Sequence, residues 1–332
     1  MTSDTPGWDA ITARLDEFYP DVEPQHFGTI IKYALGGPDP IDGMSFYPRE
    51  EPVPHWHIVT YGMSDLYERD EDAEETEESG WGFEFTMRVA RAAGETEVPY
   101  WAANLLQNLA RYVFGSGNWF EPFHHLNANG PLRQDHDTLM TAITFAEDPE
   151  LGTIATPHGR LQFLQVVGLT TDEYDAVRQW HAEGLLALLA ERNPLLVTDL
   201  DRPSALDDPV IRAAAEAGRE RDGSSTGMLM IAGFRWSADE DGTIRLSFKE
   251  INAPQVPAGV KDRLPYGREL WLDGDDRTRV KLIPAAAYAV RQPGDGVLEL
   301  DLPEAAFTAL PDLTVPGVHP VPGTDRLVIE VR

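Results

Sequence analysis

The sequence contains 332 residues with 56 Asp and Glu against 27 Lys and Arg, and its formal net charge of −29 disfavours binding to nucleic acid or anionic lipid. The absence of Cys excludes disulfides and thiolate catalysis and is typical of a reducing compartment. No apolar run approaches the length of a membrane span and the N-terminus lacks the features of a secretory signal, so we expect a cytoplasmic protein.

Apolar periodicity predicts an N-terminal domain of strands covered by about three helices, an α+β or mixed α/β arrangement. Pro20 ends the first predicted helix, Pro99 opens the second, and Thr170 with Glu173 has the capping-box spacing that opens the third. The predicted elements are helices at 8–18, 99–115 and 170–189, and strands at 28–35, 56–61, 83–89, 138–146, 160–168 and 195–198.

The composition changes after Asp199, where a polar, Pro-containing stretch leads into a region of short strands. This change predicts an N-terminal domain at 1–202, a linker at 203–226 with one short helix at 209–220, and a mainly β domain at 227–332. The predicted elements of the second domain are strands at 228–236, 243–251, 268–272, 279–284, 287–291, 296–301 and 325–331, and a helix at 303–310.

An acidic segment between Glu68 and Glu78 has Asp or Glu at eight of its eleven positions. Like-charge repulsion and the lack of apolar anchors favour a solvated, mobile loop. A docking site for a basic protein is the alternative.

Two pairs of histidines are the only groups that suggest metal chemistry. His55 and His57 lie two apart in a predicted strand and would project from one face, with a third ligand drawn from His124 or His125. We favour structural packing for both pairs, because Pro54 and the surrounding aromatic residues are typical of a packed turn. The aromatic residues before His124 also suit a binding rim.

Templates for catalysis and nucleotide binding are absent from the sequence. It contains no Gly-rich phosphate loop, no dinucleotide fingerprint, no nucleophile elbow and no complete calcium loop. We therefore predict a protein without enzymatic activity, metal or cofactor.

Several segments resemble the Suppressor of fused family in wording and order. The resemblance is specific in the first 200 residues and weaker in the second domain, at 222–227 and 260–274. The strongest segments are KYALGGPDPIDGMSFY (32–47), PHWHIVTYGMSDLY (54–67), GWGFEFTMRVAR (80–91), LLQNLARYVFGSGNWF (105–120), AEDPELGTIATPHGRLQFLQVVGL (146–169) and LLVTDLDR (195–202).

The resemblance implies a protein-binding module in which two domains hold an extended peptide as an added strand. In animal members the peptide belongs to a Gli-type zinc-finger transcription factor. The matching residues here are the aromatics Tyr112 and Phe120, the acid Glu147 and, more loosely, Met228 after Gly227. His124 stands where the family has an Asp, so one acid of the peptide clamp is missing.

The resemblance further implies a bacterial member that acts as an immunity protein and sequesters a cognate toxin. The acidic surface suits a basic toxin domain, since long-range attraction speeds association. The alternative is a peptide-binding scaffold or negative regulator of an endogenous protein, by strand addition between the two domains. Neither interpretation includes nucleic acid, membrane or a small-molecule cofactor as a partner.

Overall fold

The computed structural model describes residues 4–70, 75–275, 278–294, 296–313 and 315–332. The chain divides into two compact units. The first contains the residues up to Tyr174 together with Leu186–Asp208, and the second contains Asp175–Leu185 and Pro209–Arg332. None of the helices described combines the length and apolar content needed to cross a bilayer.

The first unit is built on an eight-stranded mixed sheet with the order β1-β2-β3-β4-β8-β6-β5, in which β7 pairs with β8. Most neighbouring strands are antiparallel, whereas β4 and β8 run parallel. The strands are β1 (Gln25–Gly28), β2 (Gly43–Arg49), β3 (His55–Tyr61), β4 (Glu78–Ala90), β5 (His125–Asn127), β6 (Met140–Glu147), β7 (Thr153–Thr156) and β8 (Gly159–Thr170).

Both faces of this sheet are buried, and β4 carries apolar side chains on one face and the buried polar residues Glu84, Thr86 and Arg88 on the other. Helix α2 (Tyr100–Ser116) packs on the face that contains Ile58, Phe85 and Phe145. Helix α1 (Pro6–Asp16) packs on the opposite face, against residues such as Val59. Ile58 and Val59 show the two-residue alternation that sends neighbouring side chains of a strand to opposite faces.

Helices α3 (Thr171–Gln179) and α4 (Ala182–Ala190) replace the single helix predicted at 170–189. The backbone N–H of Thr170 donates to Glu173 at 3.0 Å, which is one half of the expected capping box. The break occurs at His181, whose Nδ1 accepts a hydrogen bond from the backbone N–H of Gly184 at 2.8 Å and so caps the start of α4.

The second unit contains two sheets and a shared apolar core. Its sheets have the orders β10-β11-β17-β16 and β14-β15-β13-β12-β9. Its elements are α5 (Pro209–Asp222), β9 (Met228–Met230), β10 (Arg235–Ala238), β11 (Ile244–Phe248), α6 (Gln255–Arg263), β12 (Leu270–Asp273), β13 (Arg279–Pro284), β14 (Ala289–Gly294), β15 (Val297–Leu302), α7 (Glu304–Ala309), β16 (Gly317–Pro320) and β17 (Leu327–Val331). The predicted fold class, an α+β domain followed by a mainly β one, is confirmed.

The predicted strand at 28–35 is wrong. Strand β1 ends at Gly28, and Tyr33–Leu35 forms a turn of 3-10 helix closed by Gly36 in the left-handed region at φ 88°. The apolar residues in this stretch, including Ile30, are exposed to solvent. The predicted strand at 195–198 is also wrong, because only an isolated bridge between Val89 and Thr198 forms there.

Candidate protein-binding surface

A stack of three aromatic rings forms the centre of the candidate surface. Tyr112 lies in the last turns of α2, which ends at Gly117 in the left-handed region at φ 75°. The reversal brings Phe120 back against the helix, with ring centroids 5.6 Å from Tyr112 and 4.4 Å from Phe145 in β6. Both contacts are stacked, and Phe145 is fully buried, so the outer rings rest on the core of the first unit.

The exposed aromatic surface extends beyond the predicted residues Tyr112 and Phe120. Tyr112, Trp119 and Phe123 are exposed by 49%, 56% and 43%, while Phe120 is only partly exposed. Asn118 donates to the hydroxyl of Tyr112 at 3.3 Å, and the Trp119 indole donates to Glu121 at 3.1 Å. Large exposed rings held by local hydrogen bonds are typical of protein interaction sites.

His124 is exposed and lies immediately before the edge strand β5. Its Nδ1 accepts a hydrogen bond from the backbone N–H of Glu121 at 3.2 Å, and its Nε2 lies 3.8 Å from the carboxylate of Glu121. An acidic side chain therefore lies beside His124, the position at which the resemblance implied a missing Asp.

Glu147 is the last residue of β6, two positions after Phe145, so both side chains belong to the same face of the sheet. The Glu147 carboxylate is exposed and accepts a hydrogen bond from Thr153 at 3.0 Å. The structure thus groups Tyr112, Phe120 and His124 around Phe145, with Glu147 further along the same strand.

Met228 lies in the second unit, where it begins the edge strand β9. It is 44% exposed, Leu229 is buried, and Met230 is 79% exposed. The two methionines therefore project from one side of a strand that pairs only with β12 among the residues described. Flexible Met side chains are frequent at protein-binding surfaces.

Strands β5 and β9 are both the last strands of their sheets in the described part of the chain. An edge strand can extend its ladder of backbone hydrogen bonds to another chain. The candidate residues of each unit thus lie in or beside a strand that is able to accept a further strand.

His55 and His57 belong to a buried polar network and not to the exposed surface. The Tyr19 hydroxyl donates to Nδ1 of His57 at 2.6 Å, and Nε2 of His57 donates to Asp148 at 3.0 Å. His55 donates through Nδ1 to the carbonyl of Val53 at 2.7 Å. Burial lowers the pKa of His57 and lowers that of His55 to about 4, so both rings are neutral at pH 7.

Asp148 and Arg88 form the charged centre of this network. The Arg88 guanidinium donates to Asp148 at 3.0 Å and lies 2.9 Å from Glu150. Burial opposes ionisation of Asp148, but His57 and Arg88 lower its pKa well below the usual range of a carboxylic acid. Both ring nitrogens of His57 are engaged, and the described residues contain no group of three or more His, Cys, Asp or Glu placed to hold a metal ion.

The acidic segment is anchored where the structure describes it. Residues 71–74, the middle of the predicted mobile loop, lie outside the described residues. On the C-terminal side, the Arg160 guanidinium donates to Glu78 and its backbone N–H donates to the carbonyl of Glu77 at 2.9 Å. On the N-terminal side, Arg69 is paired with Asp65.

The sequence analysis gave the aromatic run with Trp119 and Phe123 only as an alternative binding rim, and it did not identify Phe145 and Met230 as parts of these surfaces. The aromatic run before His124 was a visible signal, but the pattern gave no indication of which rings are exposed. Phe145 lies in a predicted strand, and its ring contact with Phe120 and its backbone hydrogen bonds with Phe123 and His124 connect it to the surface.

Comparisons with known proteins identify the family. The family model for Suppressor of fused protein (SUFU) matches residues 37–203, half of the chain. The Suppressor of fused homologs of Homo sapiens and Mus musculus are each 38% identical to it over 234 residues, which cover 66% of this chain and 48% of each relative. The chain therefore spans about half the length of the curated relatives it matches.

Solved structures agree with this assignment. The crystal structure of Drosophila Suppressor of Fused matches with a TM-score of 0.83 at 22% identity, over 98% of this chain and 97% of that chain, which shows a shared fold. A crystal structure of the Sufu–Fu complex matches with a TM-score of 0.59 at 31% identity, over 64% of this chain and 98% of that chain. The chain belongs to the Suppressor of fused family.

Proposed function

We propose that this protein binds a protein partner through the aromatic surface beside strand β5 and does not catalyse a reaction. The observation that carries the proposal is the exposure of Tyr112, Trp119 and Phe123 next to the edge of a sheet. Aromatic side chains anchor protein interfaces because they bury a large area with little loss of conformational entropy. The crystallised Sufu–Fu complex supports it, since that relative was crystallised with a partner.

The mode of binding that fits these elements is strand addition. An extended peptide would pair with an edge strand through its backbone, and its side chains would contact Tyr112, Phe120 and Glu147. His124 and Glu121 would give the surface a polar rim. Met228 and Met230, on the edge strand of the other unit, provide a second surface of the same kind.

The narrower proposal is that the partner is a basic toxin and that this protein neutralises it as an immunity protein. The net charge of −29 supports this partner class, because a strongly acidic surface accelerates association with a basic protein. Sequestration would then depend on the slow dissociation that buried aromatic anchors provide.

A displayed library of 12-residue peptides tests binding without knowledge of the natural partner. Peptides selected on the wild-type protein are titrated calorimetrically against Tyr112→Ala. We expect a loss of about 2 kcal/mol, roughly 30-fold in Kd, because the ring is a central exposed anchor. Amide exchange in residues 123–127 should also slow when the peptide binds.

Tyr100 provides a matched control, because it lies in the same helix and is 54% exposed. Tyr100→Ala should leave the Kd of the selected peptides unchanged. Equal affinities for wild type, Tyr112→Ala and Glu147→Ala would place the interface elsewhere.

The alternative, a negative regulator of an endogenous protein, is separated from the immunity proposal by co-expression. Any basic protein domain encoded beside the gene is expressed with the wild-type protein or with Tyr112→Ala. Rescue of growth by the wild type alone supports immunity. Absence of rescue, combined with retained peptide binding, supports the regulator.

A further inference from the structure

An aromatic cavity of about 580 Å³ lies in the first unit at the base of the acidic segment. Its walls include the rings of Tyr33, Trp81 and Phe114. The Phe114 ring meets Tyr33 at a centroid distance of 5.0 Å and Trp81 at 5.5 Å, with interplanar angles of 72° and 61°. The three rings lie at steep angles to one another, so the cavity is bounded by aromatic surface in more than one direction.

The remaining wall carries three carboxylates and one cation, Arg69, which is paired with Asp65. Asp42, Asp65 and Glu68 line the cavity. Asp65 accepts a hydrogen bond from the backbone N–H of Gly80 at 2.9 Å and pairs with Arg69. It therefore links the start of the acidic segment to the residues that follow its end. The carboxylate of Glu68 is exposed and makes no hydrogen bond or ion pair within the described ranges.

A cation of the chain itself already contacts this wall. The ammonium group of Lys32 lies 4.0 Å from the centre of the Tyr67 ring, and the Tyr67 hydroxyl donates to Asp42 at 2.7 Å. Tyr67 and Asp42 both line the cavity and both raise the pKa of Lys32. Aromatic faces and carboxylates together therefore stabilise positive charge at this place.

We propose that this cavity binds the guanidinium group of an arginine side chain in the protein partner. Arginine fits better than lysine, because its planar and weakly hydrated guanidinium stacks on aromatic rings and donates to carboxylates in the same plane. The inference rests on the proposed function, since the arginine belongs to that partner. It also gives the acidic segment a role, because the lining residue Glu68 begins that segment and the lining residue Trp81 follows it in the sequence.

The exposed apolar loop beside the cavity would contact the residues next to that arginine. Ile30, Ile31 and Leu35 are exposed by 101%, 54% and 78%, and the cavity residue Tyr33 lies between them in the sequence. Exposed aliphatic side chains grouped in one loop are a common feature of interaction surfaces. The structure therefore favours a partner segment in which apolar residues adjoin an arginine.

The test uses N-acetyl-arginine amide as the probe and the full chain labelled with ¹⁵N in its tryptophans. The indole resonance of Trp81 is assigned by its absence from Trp81→Phe. We expect the arginine derivative to shift this resonance in a saturable manner. N-acetyl-citrulline amide has nearly the same shape without the charge and should not shift it.

Two variants test the walls of the cavity. Tyr33→Ala removes an exposed ring at little risk to folding and should weaken binding of the arginine derivative roughly three- to tenfold. Lys32→Met removes the chain's own cation and should tighten binding up to about fivefold. Equal shifts with arginine and citrulline, or an unchanged Kd in both variants, would overturn the proposal.

Failure of the cavity proposal can be distinguished from failure of the proposed function. Tyr112→Ala should leave the response of Trp81 to the arginine derivative unchanged. If selected peptides depend on Tyr112 but Trp81 does not respond to arginine, the binding surface stands and the cavity assignment is wrong. If Trp81 responds to arginine and no peptide depends on Tyr112, the surface assignment is wrong instead.

Discussion

The buried carboxylate of Asp148 provides the sharpest test of what stabilises the first unit. It is 1% exposed and accepts hydrogen bonds from His57, Arg88 and Thr86 and from the backbone N–H groups of Glu150 and Leu151, at 2.9 to 3.3 Å. Asp148→Asn keeps the shape of the side chain but removes its charge. We predict that this change lowers the free energy of unfolding by about 3–5 kcal/mol.

This magnitude follows from the groups that the substitution leaves behind. Arg88 is fully buried, and without Asp148 its guanidinium retains the carboxylate of Glu150 at 2.9 Å. A buried charge that loses one of its partners typically costs several kcal/mol. The amide of Asn also places donor hydrogens where His57, Arg88 and Thr86 need an acceptor, which adds a penalty of about 1–3 kcal/mol for unsatisfied donors.

Urea unfolding at pH 7, followed by far-UV circular dichroism and tryptophan fluorescence, measures the effect on the first unit. Asp137→Asn is the matched control, because Asp137 is exposed, and it should change stability by less than about 0.5 kcal/mol. The double variant Arg88→Met with Asp148→Asn should lose less free energy of unfolding than the two single variants lose in sum. A loss below about 1 kcal/mol for Asp148→Asn would refute the reasoning.

Two further predictions concern buried ionisable groups. Burial lowers the pKa of His55 to about 4, against about 6.5 in an unfolded chain, so the unfolded state binds more protons than the folded state between these two pH values. The neutral His55 ring therefore contributes about 3 kcal/mol to the free energy of unfolding above pH 7, and this contribution is lost as the pH falls towards 4. Urea midpoints from pH 7.5 to 4.5 should show the decline, and His55→Asn should flatten it; parallel curves would contradict the assignment. Arg202 donates to buried Glu173 at 2.6 and 2.7 Å, so Arg202→Ala should lower the free energy of unfolding by about 3 kcal/mol. Arg202→Lys keeps the positive charge and should lower it less. An equal decrease for both variants would show that the charge is unimportant.

The parts of the fold that could be predicted from sequence are those with a strong local pattern. Helix α2 has an apolar stripe that starts after Pro99 and ends at glycine, and Gly117 indeed terminates it. Strand β4 alternates apolar and polar residues over 83–89 and β8 contains a run of apolar β-formers, although the polar face of β4, with Glu84, Thr86 and Arg88, is buried as well. In each case the residues indicate the type of element, although β4 begins at Glu78, before the predicted start at 83.

The segment 28–35 shows why the same reasoning fails elsewhere. Its apolar residues have the composition of a strand, yet Ile30 and Leu35 are exposed. Strand propensity describes how a side chain fits a buried pleated surface, and it does not supply the neighbouring strand that would bury it. The pairing of β1 with β2 ends at Gly28, so the remainder of the segment has no partner strand in the described structure.

The candidate surface was predictable in its residue types but not in its geometry. Tyr112 and Phe120 could be named from the family wording, while the stack on Phe145 depends on residues 25 positions apart in sequence. The network of Tyr19, His57 and Asp148 depends on even more distant residues. Histidines two apart suggested metal ligands, and only the contacts reveal that their ring nitrogens are already engaged.

The end of strand β6 places the proposed binding residue Glu147 next to Asp148, the centre of the buried network. Glu147 and Asp148 are consecutive, so their side chains project to opposite faces of the sheet. Glu147 is exposed on the face of Phe145, whereas Asp148 is buried with His57 on the face of α1. Asp148 also accepts hydrogen bonds from the backbone N–H groups of Glu150 and Leu151, so the network holds the turn that follows β6. The position of Glu147 at the end of β6 therefore depends on this network. Glu147→Ala should thus lower the affinity for peptide without a change in the free energy of unfolding. Asp148→Asn should lower both the affinity and the free energy of unfolding. A stable Asp148→Asn protein with full peptide affinity would show that the two faces act independently.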